Sequence, residues 1–589
     1  MSDSTKKTHQ KEKNKGVLKR VYQYVKPHKT KLILAVGLTV FMAVVSPVRP
    51  FLVQYVVDHY IIHPNGKMLL QSAGLMIFIL IVETAVSYYS NYSINHLGQL
   101  VVRDLRNAVF KHLTKLKLAY FDRTPIGTLV TRVVNDLETI SSIFTEGLAI
   151  IFGDFLQLSV VLSVMFYTSW KLTLISICTI PVLLIATNIF KNAIKKTFND
   201  VRNQVARLNT FVQERITGIA IVKIFNRENE DYEQFKAINR EHRDAHVRSV
   251  WYYSVFFPIV DILSAFSLGL LIWAGAGEVL QNEVTVGTLV AFTLYINMLF
   301  RPIRQLADRF NTLQMGIVSC ERVFQVLDTH EMINDNEGKT FNVSQGEISF
   351  KHVWMAYKDE NYVLKDVSFN IPAGKSIALV GSTGSGKTSI INLINRFYEF
   401  QKGEILIDGQ DITQVNVNEL RRQIAVVQQD VLLFSDTIAN NIRLGNQELT
   451  DEKIYEAAKM VGADLFIKKL PGELSFNVME RGAMLSSGQR QLIAFIRAYL
   501  YNPSILVLDE ATSSVDSETE SMIQQAIVSL TKNRTSIIIA HRLATVQHVD
   551  TILVLEHGRI VESGNHQTLI NIKGKYAELY ERQFLAVES

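Results

Sequence analysis

The chain has 589 residues, of which 48% are hydrophobic and 20% are charged, and its formal net charge is +5. This length is too great for one ordinary domain, and two cysteines, Cys178 and Cys320, exclude a disulfide framework and a cysteine-rich zinc site. A basic balance can indicate a nucleic-acid partner, but here lysine and arginine crowd the segments beside apolar runs, where the positive-inside rule places them, and this argues against nucleic-acid binding.

The first thirty residues are polar, rich in lysine and without an apolar stretch. They lack the apolar core of a cleaved signal peptide, so we expect a disordered cytosolic tail over residues 1–16.

Six apolar runs follow, each near the 20 or so residues that a helix needs to cross a bilayer. They cover roughly residues 32–57, 68–90, 139–167, 171–190, 251–275 and 284–303. The connections predicted outside the membrane are short. The inner ones, 91–138 and 191–250, are long and basic, which predicts helical hairpins that extend about 35 Å into the cytosol.

Three acidic residues, Glu83, Asp154 and Asp261, fall inside these apolar runs. Charge is costly in a membrane, so such residues usually face a cavity or a partner. Two interpretations stay open for them. They could contact cargo or couple transport to protons, or they could form hydrogen bonds between helices near the cytosolic ends.

From about Gly346 the pattern changes to short strands, turns and helices. An apolar strand over 376–380 leads into Gly381-Ser-Thr-Gly-Ser-Gly-Lys-Thr388, and an amphipathic helix follows. This is a phosphate-binding loop, in which Lys387 is predicted to contact nucleotide phosphates and Thr388 to supply a hydroxyl to Mg²⁺. A second apolar strand ends in Asp509 and Glu510, which places the Asp509 carboxylate beside the metal.

A third motif, Leu485-Ser-Ser-Gly-Gln489, lies between the loop and the acidic strand. Together the three resemble the ATP-binding cassette (ABC) family, and nearly the whole chain after about residue 17 resembles its fused half-transporters of the multidrug and lipid type. The resemblance implies a membrane α-helical domain of six transmembrane helices, followed by an α/β P-loop NTPase domain. We place the membrane domain at 17–325, a linker at 326–345 and the nucleotide-binding domain at 346–585.

The same resemblance assigns roles in ATP hydrolysis. Glu510 is the expected catalytic base, His541 contacts the γ-phosphate, and Gln429 contacts Mg²⁺ and water, although neighbouring Gln428 stays an alternative. The expected metal ligands are Thr388, Gln429 and Asp509. The residues expected to bind ATP are Tyr357 (stacked on adenine), Gly381, Ser382, Thr383, Gly384, Ser385, Gly386, Lys387, Thr388, Ser389, Gln429, Ser486, Gly488, Gln489 and Asp509.

Further segments resemble the contacts that couple the two domains. Phe121–Gly127 is similar to the first coupling-helix region, and Gly218 falls where the second would lie. Glu480–Gly482 resembles a loop that contacts the coupling helices, and Asp516 a residue that acts across the dimer.

The signature motif departs from the family once, because Ser487 stands where glycine is usual. In this family the signature completes a partner's site, so one chain implies a pair: a homodimer is favoured and a heterodimer is possible. We expect an integral membrane protein of a bacterial cytoplasmic membrane that uses ATP to export hydrophobic drugs or lipids, surrounded by membrane lipids. The alternatives are an ATP-gated channel or sensor, and one subunit of a heterodimeric exporter.

Overall fold

The structure is a computed structural model that describes residues 16–17, 19–333, 341, 343, 345–510, 517–540 and 546–588. The tail predicted over 1–16 lies outside the described residues except for Gly16, as do positions 334–340, 342 and 344 of the predicted linker. The chain divides into two compact units. The first comprises the residues up to Thr114 and Ile126–His330, and the second comprises Lys115–Pro125 and the residues from Glu331 onward.

Six helical segments of the first unit are long and apolar enough to cross a membrane, which confirms the predicted number of crossings among the residues described. They are Lys19–Ile61, Gly66–Leu113, Ile150–Thr168, Trp170–Thr217, Glu228–Leu280 and Val286–Gln305. Several extend far beyond the apolar runs, because the helices that begin at Gly66 and Ile180 continue into the basic inner segments as far as Leu113 and Thr217.

The α-helices bounded in this part of the chain, with α4 in the Lys115–Pro125 segment, include α1 (Lys29–Val45), α2 (Val48–Val56), α3 (Gly66–Leu113), α4 (Leu118–Arg123), α5 (Ile126–Val133), α6 (Asn135–Ser142), α7 (Ala149–Thr168), α8 (Trp170–Ile177), α9 (Ile180–Thr217), α10 (Ile219–Ile224), α11 (Glu228–Leu280) and α12 (Val286–Leu327). Wider π-helical turns at Val57–Ile61 and Ile143–Leu148 interrupt the pattern.

The three predicted outer connections end at side chains that cap the next helix. The Asn65 side chain accepts from the Met68 N–H, Ser169 Oγ accepts from Leu172 N–H, and Thr285 Oγ1 accepts from Thr288 N–H. Each cap satisfies a backbone donor that would otherwise lack a partner at the helix start. The helices that begin at Gly66, Trp170 and Val286 therefore start with a side-chain cap.

Aromatic side chains form much of the core between the later membrane helices. The rings of Phe190 and Phe256 stack with centroids 4.1 Å apart. Tyr295 is fully buried, and its hydroxyl donates to the Pro47 carbonyl at 3.2 Å. This contact joins α12 to the junction between α1 and α2, where the same Pro47 carbonyl also accepts from the Phe51 N–H at 3.3 Å.

The second unit contains two sheets. Its strands are β1 (Ile348–Ala356), β2 (Tyr362–Ile371), β3 (Ser376–Val380), β4 (Lys402–Ile407), β5 (Gln410–Asp411), β6 (Ile424–Val427), β7 (Ile505–Glu510), β8 (Thr535–Ala540), β9 (Thr551–Glu556) and β10 (Arg559–Gly564). The smaller sheet is antiparallel with order β2-β1-β4-β5, and the larger has order β10-β9-β3-β8-β7-β6.

The larger sheet is buried on both faces. Ile377 and Leu379 of β3 belong to one hydrophobic cluster, whereas Ala378 and Val380 belong to the other. This alternation follows the two-residue period of a strand. The helices of the unit after the linker are α13 (Lys387–Ile394), α14 (Val417–Arg422), α15 (Ile438–Arg443), α16 (Asp451–Val461), α17 (Asp464–Lys469), α18 (Ser487–Leu500), α19 (Ser517–Thr531), α20 (His566–Ile572) and α21 (Lys575–Glu588).

Candidate functional site

The loop between β3 and α13 depends on two glycines. At Gly381 an added Cβ would lie 2.3 Å from the Leu555 carbonyl oxygen, so no side chain fits there. Gly386 has φ of +108° as the residue before α13, and its Cβ would meet Leu364 Cδ2 at 2.6 Å. Glycine tolerates this left-handed backbone at no steric cost. The loop can therefore wrap closely before the helix begins, which is the geometry of an anion site at a helix N-terminus.

Lys387 folds back over this loop. Its Nζ donates to the carbonyl oxygens of Gly381 at 2.7 Å and Ser382 at 3.0 Å, and the residue is only 7% exposed. Burial lowers the pKa of Lys387, while the negative charge of Asp509 acts in the opposite direction. The ammonium group is thus held at the loop and within electrostatic reach of the acidic strand.

Four neighbouring strands bring the remaining predicted groups to one edge. β3 pairs with β8, β8 with β7 and β7 with β6, and all three pairings are parallel. The phosphate loop, Asp509, Glu510 and Gln429 all lie at or just beyond the carboxyl ends of these strands, where α/β sheets bind ligands. The backbone of Glu510 pairs with Ala540, which directly precedes His541.

Part of the predicted site lies outside the described residues. This applies to His541, to Asp516 and to the Ala511-Thr512-Ser513 segment, and the Glu510 side chain is not described either. Their assigned roles stay predictions.

Tyr357 follows directly after β1 and is half-exposed. Its hydroxyl lies 2.9 Å from Ser389 Oγ in the first turn of α13, and Asn392 Nδ2 donates to it at 3.2 Å. Its ring meets that of Tyr398 edge to face, with centroids 4.7 Å apart. The ring is therefore fixed beside the helix of the phosphate loop while 46% of the residue remains exposed, so its role in stacking on adenine stays a prediction.

The signature motif forms the start of α18. Ser486 Oγ accepts from the Gln489 N–H at 3.2 Å, and the Ser486 N–H donates to Gln489 Oε1 at 3.0 Å, which is a reciprocal capping box. Ser486 and Ser487 are exposed and Gly488 is buried. Ser487 is the first residue with helical backbone, a conformation open to any residue, so glycine is not required there for backbone reasons.

The predicted metal ligands present oxygen donors. Thr388 is exposed in the first turn of α13, Gln429 is exposed after β6, and Asp509 is half-buried at the end of β7. A hydroxyl, an amide oxygen and a carboxylate are hard donors of the kind that Mg²⁺ prefers. The residues present therefore fit a magnesium ion bound together with nucleotide.

One contact that sequence reasoning missed involves Tyr398 and the Lys115–Pro125 segment. The Tyr398 hydroxyl donates to Asp122 in α4, and Lys117 Nζ bonds Glu399 at 2.7 Å. Burial and the Asp122 hydrogen bond raise the pKa of Tyr398. Because the same ring touches Tyr357, the predicted first coupling region is connected to the predicted adenine platform through one side chain.

The acidic residues of the apolar runs take different positions. Glu83 and Asp154 line one cavity and pair with Arg49 and Arg309, whereas Asp261 pairs with Arg304 at 2.6 Å and is exposed. The arginine partners were missed. Glu83, Asp154 and Asp261 were selected because they are charged residues inside apolar runs. The same criterion would have selected Arg49.

A groove on the second unit begins at the end of β6. It has a volume of about 940 Å³ and is lined by Gln428 together with Leu432, Phe434 and Leu444, three apolar residues that are each at least half exposed. Arg497 forms one wall and donates to the carbonyl oxygens of Leu432 and Asn441. Of the two candidate glutamines, Gln428 therefore lines the groove.

Comparison with known proteins identifies both units. The family described as "ABC transporter transmembrane region" matches residues 32–303, and the family described as "ABC transporter" matches 364–513. An uncharacterized ABC transporter ATP-binding protein of Bacillus subtilis is 38% identical over 96% of this chain and 94% of its own length. An ATP-dependent lipid A-core flippase of Desulfotalea psychrophila is 36% identical, covering 97% of this chain and all of its own length.

One solved structure also matches nearly the whole chain. The structure of a bacterial Atm1-family ABC exporter with ATP bound superimposes with a TM-score of 0.79, at 27% sequence identity, and the match covers 94% of this chain and 99% of that chain.

Replacing Lys387 tests the phosphate contact. We expect Lys387→Ala to weaken ATP binding about tenfold or more, because a charge-assisted hydrogen bond is worth about 1.5–3 kcal/mol. The measurement is equilibrium binding of a fluorescent ATP analogue to the purified protein. Lys375→Ala is the matched control: Lys375 precedes the same strand at its other end and pairs with Asp550 at 2.9 Å. Equal affinities for wild type and Lys387→Ala would contradict the assignment.

Replacing Tyr398 tests its link to α4. Tyr398→Phe removes the hydroxyl that donates to Asp122 and keeps the ring beside Tyr357. We expect backbone hydrogen exchange over residues 118–123 to accelerate about fivefold, since such a bond contributes roughly 1 kcal/mol. Tyr455→Phe, which removes the analogous hydroxyl contact with Glu473, should leave exchange in this segment unchanged. Unaltered exchange in Tyr398→Phe would show that the contact does not hold α4.

Proposed function

Because the chain belongs to the ABC transporter family and is an ATP-hydrolysing, multi-pass membrane protein, we propose that it exports a hydrophobic or amphipathic substrate. Drugs and lipids are the substrate classes, and movement is either across the bacterial cytoplasmic membrane or between its leaflets. The fusion of six membrane helices to a phosphate-loop unit in one chain supports a motor that acts on its own membrane domain.

The observation that carries the proposal is the exposed start of α18. Ser486 is exposed, and its hydrogen bonds form a complete capping box with Gln489 of the same helix. A helix N-terminus of this kind favours a phosphate group. We therefore propose that it completes the nucleotide site of a second chain, with two ATP molecules enclosed between two copies.

Within each site we propose the following division of roles. Lys387 and the backbone N–H groups of the loop hold the phosphates, and Tyr357 stacks on the adenine. Glu510 orients and deprotonates the attacking water, and His541 contacts the γ-phosphate. General-base assistance of this kind is typically worth about 10²–10⁴ in rate. Magnesium bound with ATP would neutralise phosphate charge, held by Thr388, Gln429 and Asp509.

Coupling to the membrane helices is proposed to use the groove beside Gln428. The short helix α10 and its flanks carry exposed apolar side chains: Ile216, Ile219, Ile221, Ile224 and Phe225. An exposed apolar helix and an exposed apolar groove both lower their free energy by being covered. We propose that both surfaces are covered in the assembled transporter, so that closure around ATP moves the membrane helices.

A mixed pair is the second candidate, because Ser487 departs from the usual signature. Two features support a working signature in this chain: the complete capping box and the exposed position of the Ser487 side chain. The ATP-gated channel or sensor is less well supported. Gating needs only ATP binding, whereas the proposed catalytic base Glu510 serves repeated hydrolysis.

Transport in sealed vesicles tests the function. The purified chain alone, reconstituted into proteoliposomes, should accumulate a fluorescent amphiphile against its gradient with Mg-ATP. Glu510→Gln should bind ATP with unchanged affinity and lose hydrolysis by about 10²-fold or more, because the attacking water is no longer deprotonated. Accumulation that is equally fast in Glu510→Gln would refute the assigned base. Passive flux opened by ATP, without accumulation, would identify a channel instead.

The signature serine can be tested separately. Ser486→Ala removes the cap and should cost about 1 kcal/mol of stability. It should also lower ATPase activity in the pair by far more than a cap of this size explains. Asn565→Ala removes a comparable cap from α20, where Asn565 Oδ1 accepts from the Thr568 N–H at 2.8 Å. If both variants lose stability and neither loses ATPase activity, Ser486 does not complete a site across the dimer.

A further inference from the structure

The helical segment that leads into the first membrane span has two unlike sides. Residues 19–25 are helical, Lys26–His28 form a short 3-10 turn, and α1 follows directly. One side is buried, with Val21 and Val25 each only 3% exposed. The other side carries three lysines and a tyrosine, all exposed: Lys19, Tyr22, Lys26 and Lys29.

These four exposed residues lie along one line of the helix surface. Their positions, 19, 22, 26 and 29, follow the period of a helix, in which residues three or four apart are neighbours on the same side. We call Lys19, Tyr22, Lys26 and Lys29 the cationic stripe. Its charges therefore point the same way and can act together on one surface.

The opposite side of the segment is anchored to the first unit. Arg20 donates to both carboxylate oxygens of Asp328 at 2.7 Å, and its guanidinium lies 4.2 Å from the centroid of the Phe324 ring. His28 Nε2 lies 2.8 Å from Asp104 Oδ2. These contacts join the segment to the end of α12 and to α3. The cationic stripe is thus presented by an anchored helix.

The lysines of the cationic stripe make no comparable contacts. Within the part of the chain that the structure describes, no ion pair or hydrogen bond involves the side chain of Lys19, Lys26 or Lys29. An exposed lysine is solvated and needs no partner for stability. The fold therefore leaves all three ammonium groups accessible to an external anion.

The position of the segment in the chain indicates which anion this is. The segment belongs to the same continuous helical stretch as the first candidate membrane span, Lys19–Ile61. Ile33 and Leu34, which are 68% and 55% exposed, begin the apolar surface of that span. Lys29 precedes Ile33 by about one helical turn, a rise of about 6 Å. This places the nearer end of the cationic stripe at the level of lipid headgroups, where tyrosine is also favoured.

We propose that the cationic stripe binds anionic phospholipid headgroups of the cytosolic leaflet in preference to zwitterionic ones. Each lysine beside a membrane span strengthens such binding about fivefold, and the effect fades within a Debye length. Lys26 and Lys29 lie nearest the apolar surface and therefore supply most of the preference. The inference goes beyond the proposed function, because it concerns the lipid around the chain and not the exported substrate.

Competition between two headgroups tests the proposal without ATP or transport. The full chain is purified in mild detergent and titrated with equal amounts of dioleoyl phosphatidylglycerol and dioleoyl phosphatidylcholine. Native mass spectrometry then counts the bound molecules of each lipid. We expect phosphatidylglycerol to be preferred about tenfold or more, since two lysines each contribute about fivefold. Equal occupancy by the two lipids would overturn the proposal.

Variants of the two nearer lysines localise the preference. The double substitution Lys26→Gln with Lys29→Gln should remove most of it, whereas Lys26→Arg with Lys29→Arg should keep it because the charges remain. The matched control is Lys459→Gln with Lys532→Gln, which removes two exposed lysines of the second unit. A preference that survives in the first double variant, or that falls equally in the control, would refute the assignment. ATP binding checks that each variant is folded.

A soluble polyanion distinguishes a lipid from an acidic protein partner. Poly-glutamate has abundant negative charge but no acyl chains, so it should not displace bound phosphatidylglycerol. Efficient displacement would assign the cationic stripe to an acidic polypeptide and refute the lipid. Raising the salt concentration from about 0.05 to 0.5 M should weaken the headgroup preference, because salt screens exposed charges. A preference that is insensitive to salt would contradict an electrostatic origin.

Discussion

Parallel pairing of β3, β8, β7 and β6 is the constraint on which the nucleotide site depends. Each pairing places the carboxyl end of one strand beside that of the next, so that groups from widely separated parts of the chain meet at one edge. A slip of one residue would reverse the direction of every side chain on a strand. On β7 such a slip would move one carboxylate into the place of the other, although the proposed roles of Asp509 and Glu510 differ.

The elements that could be predicted from the sequence are those formed by interactions within one contiguous segment. Each membrane helix satisfies its own backbone hydrogen bonds, so an apolar run of sufficient length needs no partner to be recognised. The phosphate loop is local too: its glycines, Lys387 and the helix start are contiguous. Helix ends were harder to predict. The helix from Gly66 continues to Leu113, well past the apolar run that ended near residue 90, because polar residues sustain a helix as readily as apolar ones.

What could not be predicted is pairing between distant residues. Sequence reasoning left two interpretations open for Glu83 and Asp154, and only the structure shows that both line one cavity opposite arginines. The contact between Tyr398 and Asp122 likewise has no local signature, since either residue alone reads as an ordinary exposed side chain. In the phosphate site, the structure describes where Lys387, Tyr357 and Asp509 lie. The roles of Glu510 and His541 are still predicted from family resemblance alone.

The assignment of Lys115–Pro125 to the second unit affects how the protein is made. Asp122 emerges from the ribosome 276 residues before its partner Tyr398. At about 5–20 residues per second, translation leaves a delay of roughly 15–55 seconds. During this interval α4 has none of its native contacts with residues 398 and 399. All six candidate membrane spans are therefore synthesised before this short helix can make its contact with Tyr398.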